Sequence, residues 1–286
     1  MRDLQLISVR KELRAFTLWL AEDPSGRRFY CFSLKPVLAS DPEVREVLAR
    51  SLEPFRGLEH PSIVHFHGVR ETGGFWAIYD YAEGELLSEV LSSRGRLAPG
   101  EALKVALHVS DGLAELHRKG LVNGGISPDE ILLSREGEVR ILGAGLTQAL
   151  YQLGSPYRIW LDPRWIAPEM QKGGQLTPAA DVYSIGLLLQ WMRESLQIVP
   201  FSPKLEEMIG VCLSPEPRAR YRNAHIVKQL LAEELGREEE AAEAPEEVEE
   251  ETLDWVALLL GAIALLAVVG VVILWTIVYY IYAGAL

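Results

Sequence analysis

The chain has 286 residues, a net charge of −12 at neutral pH and two cysteines, Cys31 and Cys212. This length accommodates one large or two small domains. Two cysteines in unrelated contexts exclude a disulfide framework, and we expect both to be small buried hydrophobes. The acidic balance, with no basic patch to offset phosphate repulsion, excludes a nucleic-acid partner.

The first part of the chain has the patterns of short strands. Apolar alternation predicts five strands, near residues 4–9, 14–21, 29–34, 63–70 and 74–81. Asp23-Pro-Ser-Gly26 predicts a turn, because Pro presets φ and Gly accepts a positive φ. Asp41 followed by Pro42 is typical of an N-cap and first helical position, and predicts a helix over 41–53.

After Gly84 the apolar residues recur with a helical period. The pattern predicts helices near residues 99–119, 179–194, 203–212 and 223–235, and two short strands near 131–133 and 139–142. We therefore expect a lobe of five strands and one helix at residues 1–82, and a mainly helical lobe at residues 83–236.

Residues 237–254 form an acidic segment with ten acidic residues and one basic residue. Because a stretch with this charge cannot bury enough apolar surface to fold, we expect a disordered linker or a solvated helical extension. The 32 residues from Trp255 onward contain no charged side chain and no histidine. Roughly 20 apolar residues in a helix cross a hydrocarbon core, so residues 255–280 are predicted to be a single transmembrane helix.

The first ten residues lack the apolar core of a signal peptide. We therefore expect a single-pass protein of the plasma membrane with its soluble part on the cytoplasmic side. Ala257 and Gly261 form a small-xxx-small pair, so a homodimer through the transmembrane helix is an open alternative.

The order of elements and several short motifs resemble the protein kinase superfamily, in the style of bacterial Ser/Thr kinases. The resemblance covers about residues 4–235. Its motifs are Phe32-Ser-Leu-Lys35 (VAIK), His60-Pro-Ser-Ile-Val64 (HPNIV), Ile78-Tyr-Asp-Tyr-Ala-Glu-Gly84 (the hinge, with Tyr79 as gatekeeper), Leu116–Val122 (the lead-in to the catalytic loop), Trp165-Ile-Ala-Pro-Glu169 (APE), Asp181–Gly186 (the helix F motif) and Cys212–Arg220. The resemblance implies an α+β, bilobal kinase-like fold: a five-stranded antiparallel N-lobe with helix C, a mainly helical C-lobe, and then the transmembrane helix.

Several positions depart from the family pattern where phosphoryl transfer needs charge. The resemblance puts Gly125 at the catalytic aspartate, Ser127 at the catalytic-loop lysine, Glu130 at the metal-binding asparagine and Gly143 at the DFG aspartate. The three glycines of the nucleotide loop fall on Lys11, Leu13 and Phe16, and the bulky Leu13 and Phe16 could fill the cleft.

Lys35 is the one residue of catalytic type that the resemblance retains, and it is a candidate for phosphate contact. The helix C glutamate that should pair with it aligns with Ser51, although Glu46 or Glu53 could compensate after a register shift. The scaffold residues are retained: Glu169 and Arg220 match the family's buried ion pair, and Asp181 matches the aspartate that holds the catalytic-loop backbone.

These losses favour a membrane-anchored pseudokinase that regulates or scaffolds through protein–protein contacts. We expect no phosphoryl transfer, no resident metal or other cofactor, and weak or absent ATP binding. An active kinase or a membrane signalling complex is a candidate partner. Two alternatives stay open: a divergent ATP-dependent kinase that uses Lys35, Asp129 and Glu130 in rearranged roles, and a small-molecule sensor that uses the former nucleotide cleft.

Overall fold

The computed structural model describes residues 4–95, 97–196, 201–243 and 255–283. The chain divides into a compact unit that ends at Ala242 and a second unit, Glu243–Leu286. The first unit contains both lobes. The second contains the apolar helix.

The N-terminal lobe is a five-stranded antiparallel sheet with two helices. Its elements are β1 (Gln5–Glu12), β2 (Phe16–Glu22), β3 (Arg28–Leu34), α1 (Pro36–Ala39), α2 (Pro42–Leu52), β4 (Phe66–Arg70) and β5 (Trp76–Asp80). The strands lie in the order β1-β2-β3-β5-β4. The Asp41 side chain accepts a hydrogen bond from the Glu43 amide and so caps α2 at the predicted position.

The C-terminal lobe is mainly helical and contains a small three-stranded sheet, in the order β6-β7-β8. Its elements are β6 (Glu85–Leu86), α3 (Leu87–Arg94), α4 (Pro99–Arg118), β7 (Ile131–Leu133), β8 (Val139–Ile141), α5 (Leu146–Gln152), α6 (Pro168–Gln171), α7 (Pro178–Leu196), α8 (Pro203–Cys212) and α9 (Ala224–Glu243). The bilobal kinase fold expected from the sequence is confirmed.

Several elements differ from the sequence prediction. Helices α1, α3, α5 and α6 were not predicted, and α5 packs against α2. Helix α9 continues to Glu243 instead of ending near residue 235. Glutamate favours helix, and Arg237 pairs with Glu234 at 2.9 Å and with Glu233 at 3.9 Å along the helix, so the charge run extends it. Residues 244–254 of the predicted linker lie outside the described residues.

The second unit contains one helix, α10 (Trp255–Ala283). Its segment Leu258–Tyr279 is long and apolar enough to cross a membrane, and none of it is buried. Helix α10 extends slightly beyond the predicted range of 255–280.

Candidate functional site between the two lobes

The two faces of β3 decide what projects into the space between the lobes. Tyr30, Phe32 and Leu34 belong to the main core, on the face toward the C-terminal lobe. Phe29 and Cys31 pack in a separate apolar cluster on the outer face. This alternation follows from the two-residue period of a strand.

An aromatic cluster occupies the inner face of the sheet. Phe32 makes edge-to-face contacts with Phe16 (centroids 6.2 Å apart) and Tyr79 (5.5 Å), and Tyr79 also packs on Phe66. The fully buried Tyr79 hydroxyl donates a 3.0 Å hydrogen bond to the carbonyl of Ala144. The predicted gatekeeper therefore joins β5 to the segment at the DFG position.

Tyr30 lies beside the hinge. Its ring is 5.4 Å from that of Tyr81, and its hydroxyl donates to the Ala82 carbonyl at 3.3 Å. Burial raises the pKa of Tyr30 to about 12, so the hydroxyl keeps its proton and remains a donor. The side chain of Tyr30 thus forms a hydrogen bond with a carbonyl group of the hinge.

Lys35 does not reach the space between the lobes, and the prediction of phosphate contact finds no support in its position. It follows the last residue of β3, where alternation puts it on the same face as Ser33, opposite to Phe32. Its ammonium group contacts the Glu12 carboxylate and, at 3.1 Å, the Thr17 hydroxyl. The residue at the centre of the inner face of β3 is Phe32.

Neither glutamate proposed to compensate for Ser51 pairs with Lys35. Glu53 instead forms an ion pair with Arg56 at 3.1 Å. The carboxylate that pairs with Lys35 belongs instead to Glu12, on β1.

Asp181 holds the loop that corresponds to the catalytic loop. The fully buried carboxylate accepts hydrogen bonds from the backbone amides of Asn123 (2.9 Å), Gly124 (2.7 Å) and Gly125 (3.2 Å). His117 Nε2 lies 2.9 Å from its Oδ2. Several donors converging on one buried carboxylate fix the loop backbone.

The glycines at the two aspartate positions are built into the packing. Gly125 has φ +141°, and a Cβ there would lie 2.8 Å from the Trp165 carbonyl oxygen. Gly143 has φ +82°, and its Cβ would lie 2.9 Å from Leu146 Cδ1 and 3.0 Å from Phe32 Cζ. Any side chain at either position therefore requires both an unfavourable backbone conformation and movement of its neighbours.

A cavity of about 170 Å³ lies under the β1–β2 turn. It is lined by residues within 12–16, 125–130, 146–150 and 160–166. Glu130 reaches it from the loop after Gly125, and one of its oxygens, Oε2, accepts from the Ser127 amide at 2.9 Å and hydroxyl at 2.8 Å. Desolvation raises the pKa of Glu130 to about 7, helped by the charges of Asp129 and Asp162.

Glu169 and Arg220 form a bidentate ion pair, with both N–O distances at 2.8 Å. The Arg220 side chain is fully buried. It also donates to the carbonyls of Ser214 and Ala179 and stacks over the Tyr183 ring at 4.6 Å. This pair ties the short helix α6 to the segment before α9.

Residues 32–212 match the model of the protein kinase domain. The chain belongs to the protein kinase family. Among curated relatives, the Ser/Thr protein kinase PknA of Mycobacterium tuberculosis is 28% identical over 237 residues, which cover 72% of this chain and 55% of PknA. The Ser/Thr protein kinase PrkC of Bacillus subtilis is 27% identical over 154 residues, which cover 53% of this chain and 24% of PrkC.

The chain therefore spans about half or less of the length of these two relatives. Among solved structures, the kinase domain of M. tuberculosis PknI has a TM-score of 0.65 at 22% identity. The match covers 82% of this chain and 96% of that domain. At this identity the likeness establishes the fold.

Tyr30 and Phe32 are the site residues that sequence reasoning missed. The signal was present: strict alternation through β3 places residues 30, 32 and 34 on one face and Lys35 on the other. The prediction for Lys35 rested on the match of residues 32–35 to the VAIK motif and did not use this alternation.

Among the described residues no group of three side chains is arranged to hold a metal ion.

Proposed function

We propose that this chain is a membrane-anchored pseudokinase, which regulates or scaffolds its partners through protein contacts and does not transfer phosphate. Kinase catalysis depends on a lysine on the phosphates, metal ligands and a carboxylate near the acceptor hydroxyl. The observation that carries the proposal is the packing around Gly125 and Gly143. Neither glycine carries a carboxylate, and because both have a positive φ and an added Cβ would lie within 3.0 Å of a neighbouring atom, a side chain there requires rearrangement.

The inner face of the N-terminal lobe supports the same proposal. Phe32 lies against Gly143 where a kinase brings its strand lysine toward its metal-binding aspartate. Tyr30 hydrogen-bonds to the hinge carbonyl of Ala82. On the inner face of β3, aromatic side chains stand where a lysine would neutralise the charge of a triphosphate. We propose that ATP binding is weak or absent.

The intact scaffold supports a role in protein contact. Asp181 and the Glu169–Arg220 pair hold the C-terminal lobe in the kinase arrangement although the charged groups of catalysis are replaced. We propose that α10 anchors the domain at the cytoplasmic face of a membrane. A homodimer through this helix is one form that the contacts could take.

The test is nucleotide binding and phosphoryl transfer by the full chain in lipid nanodiscs. A ligand at 100 times its Kd stabilises the folded state by about 2.7 kcal/mol, which raises the melting temperature. We expect no rise with millimolar ATP, with or without Mg²⁺ or Mn²⁺, and no autophosphorylation from radiolabelled ATP. A metal-dependent rise, or phosphate incorporation, would contradict the proposal.

Lys35→Met is the matched control for weak incorporation. Signal that persists in this variant comes from a contaminating kinase, because the divergent-kinase alternative requires Lys35. Signal that appears in the wild-type protein and disappears in Lys35→Met would establish that alternative.

A further inference from the structure

The cavity under the β1–β2 turn is lined by apolar side chains, by four carboxylates that include Glu130, and by the guanidinium groups of Arg14 and Arg164. Phe16, Leu146, Leu150, Trp160 and Ile166 line it together with Glu130. Its volume of about 170 Å³ is on the order of ten times the ~15 Å³ that admits one water. It can therefore hold a small organic ligand.

Among the four carboxylates of the cavity, Glu130 is the one that forms no ion pair within the described residues, although Arg14 and Arg164 also line the cavity. Asp129 pairs with Lys11 at 2.9 Å, Asp162 with Arg164 at 2.6 Å, and Glu12 with Lys35. Within the described residues, the hydrogen bonds of the Glu130 side chain are those that its Oε2 accepts from Ser127. Its Oε1 has no hydrogen-bond partner there and is not fully enclosed by protein, so it is available to a molecule in the cavity.

We propose that this cavity binds a small alkylammonium group, with the ammonium on Glu130 and the alkyl chain on the apolar side chains of the wall. A carboxylate that has lost water gains most from a cation that brings hydrogen-bond donors. A linear alkyl chain can pack on the leucine, isoleucine and aromatic side chains that form part of the wall. The group can belong to a free amine or to the lysine side chain of a peptide.

The binding depends on pH through the ionisation of Glu130. Desolvation is the main cause that raises its pKa, and the charges of Asp129 and Asp162 add to it. Glu12, Arg14 and Arg164 also line the cavity, and Lys11 pairs with Asp129 at 2.9 Å. With a pKa of about 7, Glu130 is about 10% ionised at pH 6 and about 90% ionised at pH 8. We expect affinity for an ammonium group to be about tenfold higher at pH 8.

The experiment uses the full chain in nanodiscs and calorimetric or ligand-observed NMR titration. The probes are n-butylammonium chloride, its neutral isostere 1-butanol, and N-acetyl-lysine amide as the peptide-borne form. We expect butylammonium to bind at least tenfold more tightly than butanol at pH 8. Tighter binding of butylammonium than of the lysine amide assigns the site to a free amine, and the reverse order assigns it to a peptide.

Glu130→Gln keeps the size of the side chain and removes its charge, and we expect it to erase the preference for butylammonium over butanol. Glu138→Gln is the matched control, because it neutralises an exposed carboxylate that pairs with Arg140 at 3.0 Å and does not line the cavity; we expect its preference to stay within threefold of wild type. The wild-type pH profile needs no variant and tests the same point. The proposal is overturned if butanol binds as tightly as butylammonium, if Glu130→Gln keeps the wild-type preference, or if the affinity for butylammonium does not change with pH.

Magnesium separates this inference from the failure of the proposed function. If Mg²⁺ alone displaces butylammonium, Glu130 is a metal ligand, the divergent kinase gains support and the alkylammonium site is overturned. If ATP with Mg²⁺ binds and leaves butylammonium in place, the proposed function fails and the alkylammonium site stands.

Discussion

Replacing Gly143 by alanine measures how firmly the DFG position is built into the core. Gly143 has φ +82°, and an added Cβ would lie 2.9 Å from Leu146 Cδ1 and 3.0 Å from Phe32 Cζ. The left-handed conformation costs an alanine about 1–2 kcal/mol. Overpacking against a leucine and an aromatic ring adds about 1–3 kcal/mol. We expect Gly143→Ala to lower the free energy of unfolding by about 2–5 kcal/mol.

Gly137→Ala is the matched control. Gly137 has nearly the same φ, +84°, but nothing lies within 4 Å of the position of its Cβ. Gly137→Ala should therefore lower the free energy of unfolding by the conformational cost alone, about 1–2 kcal/mol. The effect of the substitution on the unfolded chain is the same at both positions, so it cancels in the comparison.

The assay is chemical and thermal denaturation of the full chain and both variants in the same detergent. A difference of 1–3 kcal/mol between the variants corresponds to a gap of about 2–12 °C in melting temperature for a domain of this size. If Gly143→Ala is no less stable than Gly137→Ala, the DFG position is not packed as described, and the main support for the proposed function is lost.

Three further predictions concern stability and use the same denaturation assay. Glu169→Gln leaves the buried Arg220 guanidinium without its carboxylate and should cost about 3–5 kcal/mol, whereas Glu138→Gln, which breaks an exposed pair with Arg140, should cost less than about 1 kcal/mol; equal costs would refute this. Tyr79→Phe removes the donor to Ala144 and should cost about 1–3 kcal/mol; an unchanged stability would show that this hydrogen bond contributes little. Glu130 has a pKa of about 7 in the folded protein against 4.5 for the free side chain, so folding favours its proton. The stabilisation from this proton, about 3 kcal/mol at most, is complete below pH 4.5 and is lost as the pH rises through 7. Glu130→Gln should therefore remove this decrease in the free energy of unfolding with pH, and a variant that keeps the wild-type pH dependence would contradict the prediction.

The sequence predicted the scaffold better than the cleft. Asp181 and the Glu169–Arg220 pair were located by motif spacing, because buried charged residues need fixed partners and their positions tolerate little shift. The phosphate contact of Lys35 stays a prediction, and the strand period puts this residue on the face of β3 opposite to Phe32. The aromatic contacts of Tyr30 and Phe32 depend on residues distant in sequence, such as Tyr79 and Ala82, so periodicity gives their face and not their neighbours.

The cavity could not be predicted either. It is lined by four segments that are far apart in the chain, and the turn that covers it was recognised only as a loop without glycines. The sequence placed Glu130 at the metal-binding asparagine position of the family. Its high pKa arises from the depth at which the fold places it, which no local pattern encodes.

The positive φ of Gly125 and Gly143 also bears on how this protein can evolve. Proteins stand only about 5–15 kcal/mol above unfolding, and a single change of several kcal/mol uses much of that margin. We expect a lone return to aspartate at either position to weaken the fold before it could confer activity, because Trp165 and Phe32 occupy the space required. A chain with this packing would need several coordinated substitutions to acquire a charged cleft, so we do not expect single substitutions to produce one.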